Sequence, residues 1–92
     1  MKSVRISAEA QNEFIEARIW YERARPELGP RLEQAFVRCL QHLDVSSPLG
    51  GGIRRALLDG FPYVVVFEET ATEFLVLAFA HSRRRPDYWR DR

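Results

Sequence analysis

The sequence predicts an α+β domain in which a helical hairpin packs on a mainly antiparallel four-stranded sheet, in the order β-α-α-β-β-β. Three observations carry this reading. Apolar residues recur at helical spacing through the first half, Pro26 and Gly29-Pro30 interrupt that pattern, and three apolar runs separated by turn residues fill the second half. With 92 residues, 46% of them apolar, the chain has enough material for one core without disulfides or metal, so residues 1–92 are read as a single domain.

Ser3 to Ser7 reads as a short strand, with Val4 and Ile6 alternating against Arg5. From about Ala8 the period changes: Ala10, Phe14, Ala17 and Tyr21 share one face of a helix, with Ser7 as N-cap and Glu9 in the first turn. A second helix restarts near Pro30, with Leu32, Phe36, Leu40 and Leu43 as its stripe and Cys39 beside it. The short connection between them predicts an antiparallel hairpin.

Ser46 to Gly52 cannot continue a helix and reads as the most flexible stretch. Strands are predicted over Ile53–Leu58, Tyr63–Glu68 and Phe74–Ala80, with turns at Asp59-Gly60 and at Glu69 to Glu73. Pro62 fixes φ where the second of these begins. Val64 to Phe67 and Phe74 to Phe79 are apolar on both faces, yet two helices cover only one. Either the C-terminal tail folds back with Tyr88 and Trp89, or a partner supplies the missing layer.

The net charge is +1, but it is unevenly placed. Residues 81–92 hold five arginines against Asp87 and Asp91, a local +3, which leaves about −2 for the remainder. Lys2 is the sole lysine among 14 basic residues. Guanidinium forks bind phosphate and carboxylate bidentately, although a GC-rich genome would give the same bias. One cysteine excludes an internal disulfide, no Cys/His spacing suggests zinc, and no cofactor motif is found: Gly50-Gly51-Gly52 lacks the Lys-Ser/Thr ending of a phosphate loop. Without a signal-peptide apolar region or a membrane-spanning run, the chain is read as cytoplasmic, with no membrane partner.

Several motifs occur in order: Glu16 to Glu22 with Ile19-Trp20-Tyr21, Pro26 to Gly29, Ser47-Pro48 before the glycines, Arg54-Arg55, Phe61-Pro62-Tyr63, and Ala80-His81 running into Arg83 to Trp89. Together they resemble the RelE/ParE superfamily of type II toxin–antitoxin toxins, in its ParE-like or plasmid stabilisation protein branch. The resemblance spans nearly the whole chain and implies the fold read above. It further implies a cognate antitoxin that occupies the uncovered sheet face, with room for a higher-order toxin–antitoxin assembly. Its ParE-like members poison DNA gyrase without evident chemistry of their own; its RelE-like members cleave mRNA on the ribosome.

Metal-independent RNA cleavage needs a base, an acid and cations around phosphorus. His81, Arg83 and Tyr88 are the catalytic candidates under that alternative, His81 because its unperturbed pKa lies near neutrality and it sits at a strand end. A strand-end histidine equally well caps a carbonyl or packs an aromatic. The chain departs from the nuclease pattern, having no lysine beyond Lys2 and only Arg54 and Arg55 after the glycine loop. For partner binding the candidates are Arg54, Arg55, Tyr63, Arg83, Arg84, Arg85 and Trp89. Arg54 and Arg55 must face opposite sides of their strand. The Arg83–Arg85 run reads as a phosphate contact, a patch for an acidic protein surface, or solvation of a chain end. Trp20 and Tyr21 read as core and boundary packing.

Overall fold

A computed structural model describes residues 2–92. It contains β1 (Ser3–Ile6), α1 (Ala8–Ala24), α2 (Leu28–Gln41), β2 (Ser47–Gly50), β3 (Ile53–Leu57), β4 (Tyr63–Glu69) and β5 (Glu73–His81). The Ser7 hydroxyl accepts the Ala10 N–H at 3.1 Å, satisfying one of the four free donors of the α1 N-terminus. Arg25, extended as a residue before proline must be, ends that helix. α2 begins two residues before the predicted Pro30, which stands in the first turn, where a missing N–H breaks no helical bond. A Cβ on buried Gly29 would fall on the Glu22 side chain, so glycine lets the corner of the hairpin close. Arg18 ties the two helices by an ion pair with Glu33 of α2 at 2.8 Å, alongside one with Glu22 of its own helix at 2.9 Å.

The sheet has five strands, not the predicted four, in the order β1-β5-β4-β3-β2. β1 runs parallel to β5 and every other neighbouring pair is antiparallel. The extra strand, β2, comes from the segment expected to be flexible and forms a hairpin with β3. Its turn residues Gly51 and Gly52 have φ +62° and +79°, the left-handed pair a two-residue hairpin loop favours.

The β4–β5 ladder slips at one point. Val66 pairs with Ala78 but Phe67 pairs with Val76, so Leu77 is an extra residue in a bulge. Because side chains alternate, one extra residue swaps the phase of β5: Phe74 and Val76 before it, and Phe79 and His81 after it, all fall on the helix-covered side. There Phe14 stacks on Phe36 with centroids 4.8 Å apart, and Phe79 meets both edge-on. Tyr63 stacks on Phe79 at 4.6 Å. Leu32, Val65, Phe67 and Val76, all fully buried, fill the rest of this core.

The opposite face carries a second, smaller cluster of Val66, Ala78 and Trp89, rimmed by Ile53, Val64, Leu77 and Tyr88. Of the two covers expected for that face, the tail is thus present within the chain, and Trp89 is only 6% exposed. Coverage is partial, since Leu57 at the β3 end remains 73% exposed. Trp20 departs from its expected role: Tyr21 packs in the core, but the Trp20 indole is 66% exposed, resting edge-on against Tyr21. Among the described residues no helix is long and apolar enough to cross a membrane.

Candidate functional site

β5 delivers His81 to the edge of the sheet, and the chain then turns. Arg83 N–H donates to His81 Nδ1 at 3.1 Å, and Arg84 N–H to the His81 carbonyl at 2.9 Å. The first bond leaves the His81 proton on Nε2 in the neutral ring. The ring stands edge-on to Tyr63, centroids 5.2 Å apart, so the packing role considered for His81 is realised. Asp87 adopts φ +63°, a left-handed conformation that aspartate tolerates better than most residues, and the tail reverses there. Tyr88 and Trp89 are thereby laid back over the sheet.

One carboxylate anchors the returning tail. Glu13, on α1, accepts from the Tyr88 hydroxyl, from Arg92 Nη1 and Nη2 at 2.8 and 3.2 Å, and from the Phe79 backbone N–H at 3.1 Å. These donors converge because β1 stops pairing with β5 at Val76, leaving the β5 edge open at Leu77–Phe79. Glu13 takes the Phe79 N–H, while Arg92 donates to the Leu77 carbonyl at 3.0 Å. Burial alone would raise the Glu13 pKa; the hydrogen bonds from Arg92, Tyr88 and Phe79 outweigh it and hold the carboxyl below its ordinary value. Burial, then the bond to the Glu13 carboxylate, push the Tyr88 phenol well above the usual tyrosine range. Its proton is held at neutral pH, which suits an anchor better than a general acid or base.

Two grooves meet at this tail. The first, about 290 Å³, lies on the sheet face away from the helices, with Leu57, Val64, Val66 and Ala80 as an apolar floor and Arg55, Arg84 and Arg85 among its walls. The second, about 220 Å³, lies between α1 and the sheet end and brings His81, Tyr63, Glu13, Glu16, Trp20 and Arg84 together. His81, Arg84 and Tyr88 line both, forming the ridge between them. Arg84 is held there by the Tyr88 ring, its guanidinium carbon 4.1 Å from the centroid.

The sequence candidates separate accordingly. Arg55, Arg84 and Arg85 are exposed and make no ion pair among the described residues. Arg83 is exposed too but lines neither groove, so it does not join His81 and Tyr88 through its side chain. Arg54 and Arg55 do face opposite ways, as the β3 register requires. Arg54 is occupied within the chain, bonding Glu69 at 2.9 Å and the Ser46 carbonyl at 3.3 Å. Trp89 is buried against its own sheet, and Tyr63 is half-buried in the aromatic stack. Glu13, the hub of the tail, escapes sequence reasoning because Arg92 lies 79 residues away. Cys39, pushed up to about 11 by burial, is an unreactive thiol at neutral pH. Among the described residues no group of three or more His, Cys, Asp and Glu is placed to hold a metal ion.

No family model matches the chain, and no curated protein does. Among solved structures it is similar to a chain described as "Chromosomal ParDE TA system from P. aeruginosa", with a TM-score of 0.75 over 88% of this chain and 96% of that one, at 18% identity. At so low an identity the likeness is one of architecture: this chain has the fold of that component of a ParDE system, two helices on one face of a mixed sheet.

Proposed function

We propose that this chain is a ParE-like toxin of a type II toxin–antitoxin system, acting by protein contact on DNA gyrase and neutralised by a cognate antitoxin. The observation that carries this reading is the first groove: Arg55, Arg84 and Arg85, without an ion-pair partner among the described residues, stand around an apolar floor that the tail covers only in part, leaving Leu57 73% exposed. Such a surface suits an acidic protein segment with apolar anchors. The shared fold with a ParDE component supports the same assignment. An antitoxin segment laid across that face would also shield Leu57.

The second groove favours a different reading, ribosome-dependent mRNA cleavage, because His81, Tyr63 and Arg84 share it with Glu13 and Glu16. The committed Tyr88 hydroxyl weighs against it. Induced expression with plasmid topology and mRNA integrity as paired readouts separates the two. For a gyrase poison, Arg84→Glu with Arg85→Glu abolishes growth inhibition, His81→Ala reduces it only modestly, and plasmid topology changes. For a nuclease, His81→Ala removes a general acid or base contributing about 10²- to 10⁴-fold. Cleaved mRNA with normally supercoiled plasmid overturns the first reading. Co-expression with a cognate antitoxin is expected to yield a complex burying more than about 1,000 Å².

A further inference from the structure

We propose that Glu13 is a positioning residue for the arginine ridge: it holds Tyr88 by the hydroxyl, Tyr88 holds the Arg84 guanidinium on its ring, and Arg84 is thereby fixed between the two grooves. Glu13 uses one carboxylate oxygen on the Phe79 N–H, which the open strand edge requires. The second oxygen goes to the tail, to the Tyr88 hydroxyl. Arg92 spans both oxygens, and the pair is largely shielded, with side-chain exposures of 21% for Arg92 and 16% for Glu13. Shielded, charge-assisted bonds of this kind are the stronger class.

Arg84 needs such a support. No carboxylate pairs with it among the described residues, and its fixed contacts are a backbone bond to His81 and the face of Tyr88. A side chain with that many rotamers is localised only if the ring beneath it is localised. The Tyr88 ring carries the Arg84 guanidinium 4.1 Å from its centroid and is approached by that of Arg92 at 5.1 Å. Glu13 fixes the far end of that ring by its hydroxyl and also holds Arg92. α1 therefore sets the placement of a charge that α1 itself never contacts through Glu13, and the consequence for activity rests on the toxin reading above.

The test uses the full chain in two variants, Glu13→Gln and Tyr88→Phe. The second keeps the ring under Arg84 and the packing of Trp89, and removes only the anchor. Arg84 side-chain proton resonances, assigned by comparison with Arg84→Lys, report the ring current of Tyr88. Both variants are expected to move them toward unstructured values while the core resonances stay. Growth inhibition is expected to fall about tenfold in Glu13→Gln, and to fall no further when that change is added to Arg84→Ala. Unmoved Arg84 resonances in both variants overturn the proposal, as does a Glu13→Gln loss that persists in full on the Arg84→Ala background. A wild-type chain that does not inhibit growth sinks the toxin reading, and the resonances still decide the role of Glu13.

Discussion

Removing the Trp89 side chain measures how much of the domain the tail holds together. The indole is 94% removed from solvent by Val66 and Ala78, with Ile53, Val64, Leu77 and Tyr88 around it. Buried Phe or Trp to Ala substitutions cost about 3–5 kcal/mol, the larger values where the void cannot collapse. Here the cluster is small and lies near the surface, so Trp89→Ala is expected at the lower end, about 3 kcal/mol. For a domain of this length each kcal/mol moves Tm by roughly 4–8 °C, which sets the expected fall at about 12 °C or more. That is a large share of a total stability of about 5–15 kcal/mol. Urea unfolding followed by far-UV circular dichroism, with Trp20→Phe as an exposed-indole control, makes the measurement independent of tryptophan emission. A Trp89→Ala change within about 0.5 kcal/mol of wild type would refute the reasoning, since that is the range of ordinary surface substitutions. The tail would then be detached in solution.

Two further outcomes follow from the same geometry. Because the Glu13 carboxyl is held below its ordinary value when folded, its contribution is complete above the unfolded pKa and is lost as pH falls through the folded one. The facing groups are Arg92, Tyr88 and the Phe79 N–H, with Glu9 and Glu16 nearby on α1, so Glu13→Gln should flatten the acid limb of stability against pH below about 4.5. An unchanged acid limb would remove Glu13 from that role. Leu57→Glu, at a site 73% exposed, should leave Tm nearly unchanged and reduce self-association of the free chain in analytical ultracentrifugation. If the free chain is already monomeric at high concentration, the open floor is not sticky by itself.

Much of the architecture was legible because it depends on side-chain periodicity. The stripe Ala10, Phe14, Ala17 and Tyr21 reaches the core as its spacing implies, and the doubly apolar strands do need a cover on each face. β2 was not legible, since Ser47-Pro48-Leu49-Gly50 is exposed throughout and has no alternation. What makes it a strand is backbone pairing to β3 and the left-handed Gly51-Gly52 turn, and that glycine pair just before Ile53 was the available signal. Trp20 was misplaced for a related reason. It adjoins the buried stripe in sequence, but one helical residue is a rotation of about 100°, enough to take an indole from core to solvent.

The candidate site was legible as a list of residue types but not as an arrangement, and the difference comes from the Leu77 bulge. One extra residue in β5 keeps the Phe79 and His81 side chains in phase with the helix side, so that His81 meets Tyr63 at the ridge between the two grooves. Just beyond the last β1 partner, the outer edge of β5 passes to Glu13 and Arg92, groups outside the sheet. Without the bulge, alternation would carry the Phe79 and His81 side chains to the far face, emptying the centre of the aromatic stack. The Phe79 N–H would turn from Glu13 toward the inner side of the strand, and the tail would lose its anchor. Core packing, histidine placement and arginine positioning are therefore settled together by a single irregularity in strand pairing, one that no residue in Val76-Leu77-Ala78 announces on its own.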